Sequence, residues 1–406
     1  MKNKKIIYKN FIQKDHLNLK LNKNLQIKYN KLLSNINKYQ DNENDVFHTL
    51  TRKFKINFQI KDLKKFKRYK RFVLIGMGGS ILGSEAIYEF LKSKIRKNFH
   101  FFDNLDEEKL DIFRKSHKFN KTLFIVISKS GETLETLSNL VALKILKKNS
   151  KNLIVVTEKN NGYLHSLSKK MKFYFIEHRS YVSGRYSVLS EVGILPTYLM
   201  GLQISNLRKN LLVHLKNKKN KSFLKDSTIK LANIILRKKI KSLILFNYEP
   251  KLEKFLYWYQ QLIAESLGKK GRGLLPIISP APKDHHSLLQ LYLDGPRDKL
   301  FYILSSSQDF KYKIFTKNLG EKFKYLNNLS LNQIKNAQKK AFMQSLKKKK
   351  IAFREFKIGH FNEQTIGELF SYFIIETAMI GKLININPFD QPAVEKVKKA
   401  TKKELN

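Results

Sequence analysis

Apolar positions along this chain gather into short runs rich in Val, Ile, Leu and Phe, each followed by a longer stretch where they recur at helical spacing. Runs near 71–76, 98–103, 121–128, 152–157 and 172–176 read as strands, and stretches near 80–93, 106–117, 132–148, 161–170 and 187–202 as helices. The strands lack a polar face, so the alternation argues for a parallel sheet covered by helices on both sides. A charged stretch from Leu207 to Asp226, containing Lys-Asn-Lys-Lys-Asn-Lys, reads as the crossing to a second half. There the strands fall near 242–247, 273–278, 299–305 and 350–356, and the helices near 251–267, 284–293, 331–347 and 363–382. Residues 1–70 carry scattered apolar positions among Lys and Asn and read as helical packing segments. Gln391 to Lys403 reads as a final amphipathic helix.

Composition narrows the class. The 406 residues, 42% hydrophobic and 12% aromatic, suffice for two ordinary globular domains. No apolar stretch approaches the roughly 20 residues that span a bilayer, and the basic segment Met1 to Asp15 lacks a signal-peptide core. The chain has no cysteine, which excludes thiol catalysis and fits a reducing cytoplasm. A net charge of +47 raises a nucleic-acid reading, but the lysines are spread over nearly every segment and no zinc-finger or RNP-like motif occurs. The expectation is a cytoplasmic protein with no nucleic acid and no membrane as partner, whose field attracts anionic small molecules.

Two strand-to-helix loops carry the first chemistry, Gly76-Met77-Gly78-Gly79-Ser80 and Ser128-Lys129-Ser130-Gly131-Glu132-Thr133. Glycine permits close backbone approach, while hydroxyls, a lysine and free helix-start N–H groups suit a phosphate at the carboxyl end of a parallel sheet. A dinucleotide fold with Asp103 on a ribose is the rival for the first loop, although its spacing is not GxGxxG. A plain helix start capped by Ser128 or Ser130 is the rival for the second, with Glu132 pointing away from any anion. Arg185, in Ser183-Gly184-Arg185-Tyr186-Ser187, could hold an anion or offset enolate charge. Glu265 lies in the last turn of an apolar helix stopped by Gly268, where the helix dipole opposes negative charge, a setting suited to a carboxylate that accepts a proton. Lys283-Asp284-His285-His286-Ser287 begins another helix; adjacent histidines face different ways and do not form a zinc pair. Gln391 and Lys398 lie two turns apart on one helical face.

In order, GMGGS, SKSGETLET, SGRYS, QLIAESLGK, DHHS and NPFDQPAVEKVKK, with 21 residues from Glu265 to His286, resemble the glucose-6-phosphate isomerase (phosphoglucose isomerase) family, in particular its bacterial branch. The similarity runs from about Arg71 to Lys399. It implies an α/β fold of two tandem SIS-type three-layer αβα domains with parallel sheets, divided here as an N-terminal helical extension 1–70, domains 71–205 and 206–385, and a C-terminal helix 386–406. It also implies a homodimer, a sugar-phosphate substrate, and no metal or organic cofactor.

Position by position, the resemblance implies that Glu265 moves the proton between C2 and C1 of the opened sugar. His286, favoured over His285 by the Asp-x-His-Ser pattern, would open the ring from the partner subunit with help from Lys398, and Arg185 would face the enediolate. Ser128, Lys129, Ser130 and Thr133 would form the phosphate loop, Gly79 and Ser80 the first glycine loop, and Gln261 and Gln391 further substrate contacts. The implied reaction is reversible isomerisation of D-glucose 6-phosphate and D-fructose 6-phosphate through a cis-enediol. Alternatives are an isomerase that also takes mannose 6-phosphate, and a non-catalytic sugar-phosphate sensor.

Overall fold

The computed structural model describes residues 6–116, 119–308 and 312–405; Met1–Lys5 of the basic N-terminus, residue 117 of the expected helix 106–117 and Asn406 lie outside them. Ten strands occur among these residues: β1 (Ile6–Asn10), β2 (Arg71–Gly76), β3 (Asn98–Phe102), β4 (Thr122–Ile127), β5 (Leu153–Thr157), β6 (Tyr174–Glu177), β7 (Ser242–Asn247), β8 (Leu275–Pro280), β9 (Lys299–Ser306) and β10 (Phe353–Ile358). They form two five-stranded sheets, ordered β3-β2-β4-β5-β6 and β8-β7-β9-β10-β1. Every pairing in the first sheet is parallel. The second is parallel except at its edge, where β1 runs antiparallel to β10 with Lys9 opposite Glu355.

Residue alternation explains how the sheets stack. Phe72 and Leu74 of β2, with Leu243 and Leu245 of β7, enter one core shared by both sheets. Val73 and Ile75 face a second core beyond the first sheet, and Ile244 and Phe246 a third beyond the second sheet. Each central strand is therefore apolar on both faces, as parallel sheets between helices require. Helices Leu82–Leu91, Glu191–Leu199, Glu253–Leu267 and Glu363–Leu383 fill the shared core. The last is buried nearly all round, from Thr365 to Gly381, and reads as a central helix for that reason. The Lys254–Glu85 ion pair, at 3.5 Å, ties the helices of the two halves together.

Several expectations need correction. Residues 1–70 are not all helical: Ile6-Ile7-Tyr8 is β-branched and aromatic, and β1 uses it to cover the edge of β10. The charged stretch from Leu207 is no bare crossing. After two short helices, Ile204–Leu207 and Val213–Lys216, it opens the long helix Lys218–Arg237, with Asn217 accepting from the N–H groups of Lys219 and Asn220. Its lysines are the solvent face of a helix that buries Leu224, Leu231 and Ile235. The helix expected over 132–148 stops at Ala142 and begins at Leu134. The helix expected from 187 splits into a 3-10 turn, Gly184–Leu189, and the helix Glu191–Leu199. The one expected over 284–293 splits into a 3-10 turn, Lys283–His285, and the helix Leu289–Asp294.

Candidate active site

The helix Glu253–Leu267 buries Phe255, Trp258, Tyr259, Leu262, Ile263 and Ser266, leaving Gln261 and Glu265 half-buried one turn apart on its other side. Gln261 Nε2 donates to Glu265 Oε1 (3.0 Å). The helix ends where Gly268 donates its N–H to Ala264 O (2.8 Å).

Arg185 meets Glu265 from the first half. Its guanidinium carries five N–H donors, and five acceptors satisfy them. Nε donates to Ser266 Oγ (2.9 Å), Nη1 to Glu265 Oε2 (3.1 Å) and Gln391 Oε1 (2.7 Å), and Nη2 to the carbonyls of Pro388 (2.7 Å) and Asp390 (2.9 Å). The arginine side chain is 1% exposed and the glutamate 30%. A buried guanidinium of this kind is a fixed positive charge, held by its partners rather than by water.

The glycine loop makes that approach possible. A Cβ on Gly79 would lie 2.1 Å from the Gly184 carbonyl carbon, so only glycine lets the first loop rest on the Arg185 turn. Gly78, at φ +52°, lies against Gln261, whose Nε2 a Cβ would meet at 2.6 Å. Ser80 closes the turn, its N–H bonded to Met77 O (3.1 Å).

The serine loop follows β4. Ser128 Oγ lies 3.0 Å from Thr133 Oγ1 and accepts from the Gly131 N–H (3.2 Å), and Ser130 Oγ accepts from the Glu132 N–H (3.2 Å). Thr133, not Ser128 or Ser130, occupies the cap position of the helix Leu134–Ala142, and it makes no side-chain capping bond. The first-turn N–H groups thus face the loop without a side-chain acceptor. Glu132 turns outward to Lys402 of the helix Pro392–Glu404 (3.1 Å). Lys129 does not point along the loop: its ammonium donates to Ser180 O (2.6 Å) and lies 3.5 Å from Glu158. Burial lowers its pKa against the pull of Glu158, and the charge of Arg185 acts in the same direction.

Glu265, Arg185, Gln261, Gln391 and Gly79 are therefore one cluster. His286 and Lys398 stand outside it. His286 is exposed at the end of the 3-10 turn Lys283–His285, whereas His285 turns inward, stacking on Phe246 and bonding Tyr248 OH through Nε2 (2.6 Å). Burial, then the charge of His286, lowers the pKa of His285. Lys398 pairs with Glu395 (2.8 Å) on the exposed face of its helix. The sequence reading missed Ser266, Tyr186 and the clamp made by Lys269. Tyr186, its hydroxyl pKa pushed up to about 12 by burial, lies 3.0 Å from Ser266 Oγ. Lys269 Nζ donates to Asn387 O (2.5 Å) and Asp390 O (2.6 Å), pinning the turn that presents Gln391. Ser266 and Lys269 stand within the QLIAESLGK motif beside Glu265, the only signal that could have found them. Among the described residues no group of three or more His, Asp or Glu is placed to hold a metal, and no helix is long and apolar enough to cross a membrane.

The family model described as phosphoglucose isomerase matches residues 16–273. The chain belongs to the phosphoglucose isomerase family. A glucose-6-phosphate isomerase of Methanocaldococcus jannaschii is 34% identical over 351 residues, 84% of this chain and 86% of that protein. One from Carboxydothermus hydrogenoformans is 31% identical over 365 residues, 82% of this chain and 78% of that protein. The crystal structure of a glucose-6-phosphate isomerase from Chlamydia trachomatis has a TM-score of 0.78 at 17% identity, covering 99% of this chain and 88% of the other, a likeness of fold. Phosphoglucose isomerase membership agrees with two sheets flanked by helices on both faces.

Proposed function

We propose that this chain interconverts D-glucose 6-phosphate and D-fructose 6-phosphate, the isomerisation for which its relatives are named. The observation that carries the reading is Glu265, gripped from two sides by Arg185 and Gln261 yet 30% exposed, so oriented and still within reach of a ligand. With the sugar ring open, its carboxylate takes the proton from C2. The electrons of that C–H bond form a C1=C2 bond, and the C1 carbonyl oxygen takes up charge and then a proton, giving a cis-enediol. Returning the proton to C1, while O2 releases its own and becomes the carbonyl, gives the ketose. A positioned base of this type contributes about 10²–10⁴-fold.

Arg185 offsets the enediolate charge through its fixed field; a direct bond requires it to release Gln391 or Glu265. Gln261 Oε1 is buried without a hydrogen-bond partner among the described residues, so it can accept from a sugar hydroxyl. Ser128, Ser130, Thr133 and the uncapped helix start hold the phosphate, with Lys129 adding charge behind them, and Gly79 and Ser80 bound the sugar side. His286 and Lys398 move the ring-opening proton. The exposed position of His286, away from the Glu265 cluster, supports its service to a partner's site in a homodimer. The same proposal covers a cytoplasmic location and the division 1–70, 71–205, 206–385 and 386–406, with β1 serving the sheet of the third part. No metal or organic cofactor is given a step.

A coupled assay of fructose 6-phosphate conversion tests the reaction, and no turnover would overturn it. Mannose 6-phosphate in the same assay reads substrate breadth. Mixing inactive Glu265→Gln and His286→Ala proteins should restore part of the activity through heterodimers. No restoration despite subunit exchange would remove His286 from the partner's site.

A further inference from the structure

The helix Leu331–Lys348 packs over the outer face of the second sheet, and two adjoining cavities of about 350 and 390 Å³ open between it and the β1–β10 edge. They share Lys339, Lys340 and Lys357, and the first adds Lys9, Lys347 and Glu355. Register brings these charges together. Lys9 pairs with Glu355, and Ile7 with Lys357, so all four side chains stand on the sheet face that meets the helix. On the helix, Lys340 and Lys347 are two turns apart, about 10 Å along its axis.

The charges do not balance. Among the described residues Glu355 is the only carboxylate lining either cavity, and it serves two lysines, Lys339 at 3.1 Å and Lys9 at 3.4 Å. Lys339 is built in: its side chain is 6% exposed and its ammonium also donates to Ser305 Oγ (2.9 Å) at the carboxyl end of β9. Burial lowers the pKa of Lys339 against the pull of Glu355, and the charges of Lys357 and Lys9 act with the burial. Lys340, Lys347 and Lys357 form no ion pair with a described residue, and Lys347 lies over the Phe11 ring at 4.7 Å. Among the described residues, folding has thus brought five ammonium groups around one carboxylate in a space the size of a small ligand.

We propose that this cleft is a second anion site, separate from the Glu265 cluster, that takes a small molecule carrying two or more phosphoryl groups. Each phosphate monoester or terminal phosphoryl group brings about −1.5 to −2 charge at neutral pH, so a bisphosphate or a polyphosphate chain matches the uncompensated lysines and a single phosphoryl group leaves half of them unanswered. Lysine, a point charge on a flexible stem, suits phosphate without fixing the rest of the ligand. A nucleoside polyphosphate and a sugar bisphosphate share this chemistry. The proposal does not depend on the isomerase reading, because no residue of the cleft belongs to the cluster around Arg185.

Calorimetric titration tests it with inorganic tripolyphosphate, ATP and fructose 1,6-bisphosphate as probes and inorganic phosphate as the reference. A Ser128→Ala, Thr133→Ala background silences the other anion cradle. At least one polyphosphorylated probe should bind one equivalent, at least about tenfold more tightly than inorganic phosphate, and more weakly as salt rises. Whichever of ATP and the bisphosphate binds more tightly identifies the source. Lys340→Glu with Lys357→Glu should weaken that binding at least about tenfold, while the same pair in the wild-type background leaves sugar-phosphate turnover unchanged. If circular dichroism shows that this variant fails to fold, Lys340→Gln with Lys347→Gln, both on the helix surface, should weaken binding in the same sense. Unchanged binding in the folded variant overturns the proposal. So does an RNA oligonucleotide that outcompetes all three probes, since the cleft would then be reading a nucleic-acid backbone.

Discussion

In the first sheet Gly76 pairs with Ile127, and in the second Asn247 pairs with Leu304, so Ser128 and Ser305 occupy matching places one residue past these pairs, Ser128 outside β4 and Ser305 still within β9, opposite Lys357 of β10. From there the two halves part. Ser128 enters a short loop to the helix Leu134–Ala142, whose cap residue Thr133 turns its hydroxyl back to Ser128 and leaves the first-turn N–H groups open. Ser305 receives Lys339, and the next α-helix among the described residues starts at Leu331, after a 3-10 turn at Glu321–Leu326, and is closed by a capping box: Gln333 N–H donates to Ser330 Oγ (3.2 Å) and Ser330 N–H to Gln333 Oε1 (2.7 Å). One architecture therefore offers an anion a helix start in the first half and denies it in the second. The second half instead carries the helix with Glu265, after β7. The proposed phosphate grip and the proposed base thus lie on different sheets, joined at Arg185.

Four experiments bear on this division. The largest effect should come from Glu265→Gln, which lowers turnover about 10²–10⁴-fold with little change in KM in the coupled assay; wild-type turnover would remove the base from the second half. The first sheet also ends its edge strand β6 next to His178, buried, with a pKa lowered from 6.5 to about 4 by desolvation first. Between those values the unfolded chain takes up a proton that the folded chain refuses. Stability is therefore fully present above pH 6.5 and should fall by roughly 3 kcal/mol as pH drops toward 4. Urea unfolding across that window should show a shallower slope in His178→Gln, and parallel slopes would contradict the assignment.

Next in size, Ser128→Ala with Thr133→Ala removes hydrogen bonds to a charged group, each worth about 1.5–3 kcal/mol. It should raise KM at least about tenfold, whereas Ser305→Ala should leave KM alone; equal effects would erase the difference between the halves. The smallest effect should come from Ser330→Ala, which costs about 1 kcal/mol of stability through the lost cap without altering kinetics. Thr133→Ala alone should cost little stability, because that side chain caps nothing, and thermal melting of the two variants side by side decides the matter.

Much of this was legible in the chain. Strands apolar on both faces announce a covered parallel sheet, so nine of the ten strands lie where their runs of Val, Ile and Phe place them. The family resemblance carried by the motifs around Gly79, Arg185, Gln261, Glu265 and Gln391 names residues that fold into one cluster, because the order of the motifs is readable before the chain packs. What escaped was set by distance along the chain. β1 is five residues among lysines, and only its partner β10 makes it a strand. Ser266 looks like an ordinary buried serine until Arg185 arrives from another element. The serine loop invited a capping role for Ser128 or Ser130 because capping preferences are statistical, and the bond from Ser128 to Thr133 depends on a turn that the preferences do not describe.

The edge strand has a consequence for how the molecule is made. Among the described strands β1 pairs with β10, which lies far later in the chain, so the border of the second sheet cannot be sealed until β10 has been made. Until then the nascent N-terminal segment must wait unpaired, and sequence separation this large slows the closing step. Deleting Ile6 to Asn10 would leave the finished molecule with a bare β10 ready to recruit a stranger's strand.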